Sequence, residues 1–373
     1  MMSAHHLYVH VPFCARRCSY CDFAIAVRRE VPVRAFADAI AHELRVRTPM
    51  GGAEPLRTLY LGGGTPSRLG GEGVGRLIAM VRDRYSLADG AEVTIEANPE
   101  DVHADAVRAW RAAGVNRVSL GVQSFDPAVL VWMHRVHSAD AARTAVRVLR
   151  DEGIGEVSLD LIYALPAAVP RDWRRDLDEA LALEPQHLSC YGLTIEPQTP
   201  LARWTARGQV SAADEGSYEQ EFLATHAHLT AAGFTHYEVS NYALPEHEAR
   251  HNSAYWSGVP YLGVGPSAHG FDGHERRWNI RELAAWEAAL ALEQDPVEGS
   301  EVLSAEQRSI ERVYLGLRTL AGLETAPSDD PLVGRWCQAG WATHQAGRLV
   351  LTPLGWLRLD AMAAALTEHR SHY

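Results

Sequence analysis

Three cysteines stand close together near the start of the sequence, as Cys14-Ala-Arg-Arg-Cys18-Ser-Tyr-Cys21, a Cys-x3-Cys-x2-Cys spacing. Thiolates are soft donors, and three of them in one loop can wrap three corners of an iron–sulfur cubane while leaving the fourth iron without a protein ligand. An open corner of that kind accepts a small chelating molecule that carries an amine and a carboxylate. An electron from the reduced cluster can then enter an adjacent sulfonium and break a carbon–sulfur bond. Two plainer readings are a zinc site short of one ligand and three unrelated thiols. Structural zinc sites usually close with four ligands, often in two pairs, and the other cysteines, Cys190 and Cys337, form no second pair. The spacing therefore points to a [4Fe-4S] cluster on Cys14, Cys18 and Cys21.

Such a loop needs a rigid platform. Short β-branched and aromatic runs alternate with longer helix-like stretches. Strands are expected at Leu7–Val11, Leu56–Leu61, Glu92–Glu96, Arg117–Gly121, Val157–Ile162 and His187–Tyr191, with helices between them, as over Val33–Arg47, Ala104–Ala113 and Trp173–Leu183. Strands separated by helices imply a parallel sheet with right-handed crossovers. About six βα units predict an α/β fold, a partial TIM-like (β/α)6 barrel whose working residues follow the strand C-termini. A helix near Tyr218–Ala232 and a strand at Tyr237–Ser240 precede an irregular stretch, rich in Gly, His and aromatics, that is expected to close one barrel mouth. From about Leu303 helices dominate, with a short extended Arg348–Leu351, as in a small winged-helix-like domain. The expected division is 1–240 for the barrel, 241–300 for the closing segment and 301–373 for the helix-rich C-terminal domain.

Composition narrows the partners. A net charge of -12 weighs against general binding to nucleic acid or anionic membranes. No apolar run approaches the ~20 residues of a membrane span. Five cysteines, three of them clustered, suit metal chemistry in a reducing compartment, and the cytoplasm is the expected location.

The cysteine spacing, with aromatic Tyr20 before the last Cys, resembles the signature of the radical S-adenosylmethionine (SAM) superfamily. The run Leu7-Tyr-Val-His-Val-Pro-Phe-Cys14 resembles its coproporphyrinogen III oxidase-like branch, which includes the oxygen-independent oxidase and the related heme chaperones. The resemblance implies that Gly63, Gly64 and Thr65, in Gly62-Gly63-Gly64-Thr65-Pro66, hold the methionyl end of SAM; a bare turn is the plainer alternative. It gives Glu96 to the SAM ribose, against a simple salt bridge. Gln123 and Arg135 are implied beside SAM, including a second SAM site in the oxidase, although an Arg near a helix start is commonly a surface cation. Asp160 is an acid in an apolar strand, and it needs either the cofactor or a structural network to offset desolvation. Tyr8 aligns with a SAM contact of the oxidase and equally suits a packed core. Ala164-Leu165-Pro166-Ala167 departs from the Gly-Leu-Pro-Gly of relatives, which leaves that loop's conformation open.

Oxidase and chaperone differ at specific positions. The oxidase carries another Cys two residues after the third cluster Cys, where this sequence has Phe23. His251-Asn-Ser-Ala-Tyr-Trp256 resembles the motif linked to heme in the chaperones, which implies His251 as a heme ligand packed among aromatics; a hydrogen-bonded loop histidine is the alternative. His269, in Gly263-Val-Gly-Pro-Ser-Ala-His-Gly270, is a weaker candidate. The resemblance implies a heme chaperone that uses the cluster and SAM and delivers heme to a respiratory hemoprotein, reaching the membrane through that partner. An active coproporphyrinogen III oxidase is the alternative.

Overall fold

The computed structural model describes residues 4–47 and 54–371. Six strands follow the expected runs: β1 (His6–Val11), β2 (Leu56–Gly63), β3 (Leu87–Ala97), β4 (Arg117–Gln123), β5 (Glu156–Tyr163) and β6 (His187–Gly192). They pair in parallel in chain order. A helix follows each: α1 (Val33–Arg47), α2 (Gly70–Arg82), α3 (Ala104–Ala113), α4 (Ala139–Asp151), α5 (Trp173–Ala182) and α6 (Glu215–Ala231).

The pleat decides which residues meet the helices and which face inward. Leu7, Val9 and Val11 of β1, Leu59 and Leu61 of β2, Val118, Leu120 and Val122 of β4, and Leu159 and Leu161 of β5 are all fully buried. These residues alternate with Tyr8, Tyr60, Glu96, Ser119, Asp160 and Tyr191, which leaves polar groups for the concave face. Helix caps fix the crossovers: the Ser138 side chain accepts from the Ala141 N–H at the start of α4, and Asp214 does the same for Ser217 at the start of α6.

The segment expected to be irregular is instead ordered. It begins after strand β7 (Thr235–Glu238) with β8 (Asn241–Ala243), and both strands extend the sheet antiparallel beyond β6. Helix α7 (Arg250–Trp256) follows, and β9 (Leu262–Val264) then joins β1 in parallel at the opposite edge. The nine-stranded sheet thus curls without closing, in the order β9, β1 to β6, β8, β7. A second sheet is formed by β10 (His269–Phe271), β11 (Glu275–Asn279) and β12 (Val297–Val302). Sequence periodicity misses β10 and β11 because they are short, and β12 because Val-Glu-Gly-Ser-Glu-Val has no apolar residue at alternate positions.

The C-terminal segment carries α8 (Ala305–Arg318), α9 (Asp330–Gln338) and α10 (Leu359–Ser371) around a three-stranded antiparallel sheet of Leu323–Glu324, Ala342–Gln345 and Arg348–Leu351. It docks on the sheet edge: the Trp356 ring meets His236 edge-on at 4.4 Å, and Arg318 pairs with buried Glu238 at 3.0 Å. Its buried side chains continue the core cluster of the barrel.

Candidate functional site

The cysteine loop leaves β1 through Phe13–Cys14, which pairs with Ala26–Val27 and so pinches the loop at its base. Its middle is pinned from two sides. The Ser19 N–H donates to the Met133 carbonyl at 3.2 Å, and the Leu201 N–H donates to the Ser19 carbonyl at 2.8 Å. Cys14, Cys18 and Cys21 all line one cavity of about 550 Å³ at the C-terminal ends of the strands. Burial pushes the Cys14 thiol up and the Cys21 thiol up to about 12, the behaviour of sulfurs held out of water. Among the described residues no three His, Cys, Asp or Glu gather tightly enough for a single metal ion. All three thiols are instead found along the wall of the same cavity.

The glycine run is shaped around this loop. A Cβ on Gly64 would lie 2.7 Å from the Pro12 backbone and 3.1 Å from the Cys14 sulfur, and Gly63 takes φ 115°, open to glycine. Thr65 places its hydroxyl 3.4 Å from the Cys14 sulfur. Backbone thus lies directly beside the thiols, with room for a ligand.

Two carboxylates face the same cavity. Glu96 accepts from the Tyr60 hydroxyl at 2.8 Å and from the Gly63 N–H at 2.9 Å. Burial, reinforced by nearby Asp160, pushes Glu96 up to about 7. Asp160 accepts from the Ser119 hydroxyl at 2.9 and 3.0 Å, and burial pushes it up to about 6 against those bonds. Two acids poised near neutrality in a cleft suit a cationic ligand. Arg135 is inside the cavity wall, not on the surface. It donates to Asn98 Oδ1 at 2.5 Å, to the Gly121 carbonyl at 2.8 Å and to the Cys18 sulfur at 3.5 Å, while its buried Nε has no hydrogen-bond partner among the described residues. Gln123 bulges from β4 at φ 68°, which turns it into the cavity. Tyr20 also lines the cavity and packs on a satellite cluster around Met133 and Ile162.

The cavity therefore brings together all of the expected site residues except Tyr8 and His251. Tyr8 lines a second cavity of about 760 Å³, and burial pushes its phenol up. His251 reaches neither cavity. It is 1% exposed, with Nδ1 2.6 Å from the Thr58 hydroxyl and Nε2 2.8 Å from the Tyr255 hydroxyl. Burial pushes His251 down to about 3, so the ring is neutral and both nitrogens are engaged. Its place follows from Glu92, an inward residue of β3, which accepts the Arg250 and His251 N–H groups at 2.9 Å and draws the start of α7 into the sheet interior. Tyr255 and Trp256, one turn on, face the second cavity.

Sequence reasoning missed Asn98, which links Arg135 to Thr65 through a 3.4 Å contact. Its signal was available in Asn98-Pro99 at the end of a strand, because Pro holds the preceding residue extended. Ser119 and Glu92 carry no such signal, since their partners are distant in sequence.

Comparison with known proteins agrees with this geometry. The radical SAM superfamily model matches residues 8–180. The heme chaperone HemW of Mycobacterium tuberculosis is 40% identical over 96% of this chain and 94% of its own length. The chain belongs to the HemW family of radical SAM proteins. HemW of Escherichia coli is 39% identical over 71% of this chain and 69% of its own length. Among solved structures, Escherichia coli coproporphyrinogen III oxidase (HemN) superimposes with a TM-score of 0.83 over 98% of this chain and 90% of that one. At 22% identity, that likeness speaks for the fold alone. Membership in the radical SAM superfamily implies a [4Fe-4S] cluster and SAM. No helix of the described residues is long and apolar enough to cross a membrane.

Proposed function

We propose that the chain is a heme chaperone in which Cys14, Cys18 and Cys21 hold a [4Fe-4S] cluster, the first cavity binds SAM and the second takes heme for delivery to a respiratory hemoprotein. The observation that carries this reading is the contact between the cavities, which share Asp22, Phe23, Gly63 and Glu96 in their walls. When bound, the cluster supplies an electron and SAM a sulfonium able to accept it.

The chain's own residues then have assignable tasks. The Gly63-Gly64-Thr65 backbone meets the amine and carboxylate end of SAM beside the thiols. Glu96 and Gln123 meet its ribose, and Asp160 adds negative charge facing a cation. Arg135 fixes the Cys18 side of the loop through Asn98 and Gly121, and Tyr20 shields that side from water. In the second cavity Tyr8, Tyr255, Trp256 and Tyr261 supply aromatic walls suited to a planar apolar macrocycle. His251 serves this cavity indirectly, by fixing the Tyr255 hydroxyl.

The test is titration of the anaerobically reconstituted chain with ferric heme, followed by incubation with coproporphyrinogen III. Stoichiometric heme binding without porphyrinogen turnover is expected. Conversion to protoporphyrinogen IX at enzymatic rates would overturn the reading in favour of an oxidase.

A further inference from the structure

We infer that the arginine face of the cysteine loop, Arg17, Arg28 and Arg29 with exposed Val27 and Val131, docks an acidic one-electron carrier protein that reduces the cluster. The inference rests on the cluster assignment of the reading above and is independent of its heme part.

The face departs in charge from the chain that bears it. Net charge is -12 over the whole sequence, yet residues 14–30 hold Arg16, Arg17, Arg28 and Arg29 against only Asp22 and Glu30. All four arginines are exposed, and none forms an ion pair with a carboxylate among the described residues. The Arg28 guanidinium reaches only the neighbouring Val27 carbonyl, at 3.2 Å. A local positive patch on an otherwise acidic surface steers a negatively charged partner to one place and disfavours contact elsewhere.

Position makes this place an entry for electrons. Arg17 lies in the loop between Cys14 and Cys18. The Arg28 N–H donates to the Cys14 carbonyl at 3.0 Å, so the surface segment is one hydrogen bond from a cluster cysteine. Cys18 and Cys21 are only half-buried, which brings two of the three sulfurs towards solvent on this loop. The face is also held still. Arg68 donates to the Arg28 and Arg29 carbonyls at 3.2 and 3.0 Å, and Ala26–Val27 pairs with Phe13–Cys14. A surface already ordered loses less entropy when a partner docks.

Apolar side chains complete the face. Val27, beside Arg28, is 46% exposed, and Val131 is 74% exposed two residues before Met133, whose carbonyl takes the Ser19 N–H of the loop. Exposed apolar groups among arginines suit a protein partner, and a small contact of this kind suits the short encounters of electron transfer. The docked carrier is oxidised by one electron and the cluster is reduced by one; no bond forms or breaks.

The reconstituted full chain is mixed anaerobically with the hydroquinone of a flavodoxin, an acidic flavin carrier, and cluster bleaching is followed by stopped flow. The wild-type rate should fall steeply as salt rises. Arg17→Glu/Arg28→Glu/Arg29→Glu should cut the second-order rate constant by about tenfold or more at low salt, with iron content unchanged. Reduced methyl viologen, a small cation, should bleach wild type and variant alike, which separates lost docking from a damaged cluster. An equal charge reversal on the outer helices α4 and α5, Arg147→Glu/Arg174→Glu/Arg175→Glu, should leave the flavodoxin rate nearly unchanged. Equal rates in wild type and the loop variant, or equal losses in the two reversal variants, overturn the docking face and leave the cluster reading intact. Binding to phosphatidylglycerol vesicles at physiological salt that the loop variant loses overturns it in favour of a membrane contact. No bleaching of the wild type by methyl viologen removes the cluster reading, and the docking face with it.

Discussion

The Arg135 guanidinium donates to the Cys18 sulfur across 3.5 Å, so a buried cation stands against one of the three loop thiols. Hydrogen bonds and positive charge at cluster sulfurs favour the reduced state. Arg135→Ala should therefore lower the cluster's reduction potential, by up to about 60 mV, the one-electron equivalent of 1.4 kcal/mol. Potentiometric titration at matched iron content measures it, and an unshifted midpoint counts against the contact.

Cys14→Ala, Cys18→Ala and Cys21→Ala should each abolish bound iron, because two thiolates hold a cubane poorly. Cys190 is buried in β6 and lies outside the cavity that the three loop thiols line, so Cys190→Ala should leave iron content unchanged. Iron and sulfide analysis after anaerobic reconstitution decides both. Full loading of the Cys18 variant would remove it from the ligand set.

The two raised carboxyls give SAM binding a pH dependence. Each is neutral below its own pKa and attracts a sulfonium only when ionised, so affinity should fall as pH drops through about 7 for Glu96 and about 6 for Asp160. The slope approaches tenfold per pH unit for each fully coupled acid, with a plateau on the alkaline side. Glu96→Gln should remove the upper part of the profile. Calorimetry under anaerobic conditions reads the constants, and a flat profile rules the two acids out.

Glu43, fully buried on α1, ties the closing segment to the barrel. It accepts from Arg47 at 3.0 Å, Asn279 at 2.6 Å, the Gly265 N–H at 2.8 Å and Trp286 at 3.0 Å. Glu43→Ala leaves those donors and the Arg47 charge without their partner, and should cost about 3–5 kcal/mol of stability. Denaturant unfolding of the loaded protein tests it; a loss below 1 kcal/mol would mean that water replaces the carboxylate.

The six strand-helix units were legible because each outward row repeats an apolar residue at alternate positions, as in Leu7, Val9 and Val11. The cysteine cavity was legible because its residues sit in short motifs just after those strands. Depth was not legible. Nothing local in His251-Asn-Ser-Ala-Tyr-Trp distinguishes a histidine aimed at solvent from one drawn inward, since the cause is Glu92, 159 residues away. The cavity that Tyr8 meets was not legible for a similar reason: alternation fixes its face, while the wall beside it depends on β9 arriving next to β1 from the far end of the barrel. The loop left open at Ala164 is also resolved. It takes φ 56°, where relatives' glycine would be unstrained, and its N–H is held by Glu221 at 2.6 Å.

The common wall of Gly63 and Glu96 has a thermodynamic corollary for traffic through the molecule. Ligands that touch the same atoms share a linkage, and linkage runs equally in both directions. Whatever factor by which an occupant on the thiol side tightens or loosens its neighbour, the neighbour returns the same factor. Loading and unloading are thereby readable from either side, and cargo status can be reported through affinity for the smaller molecule alone.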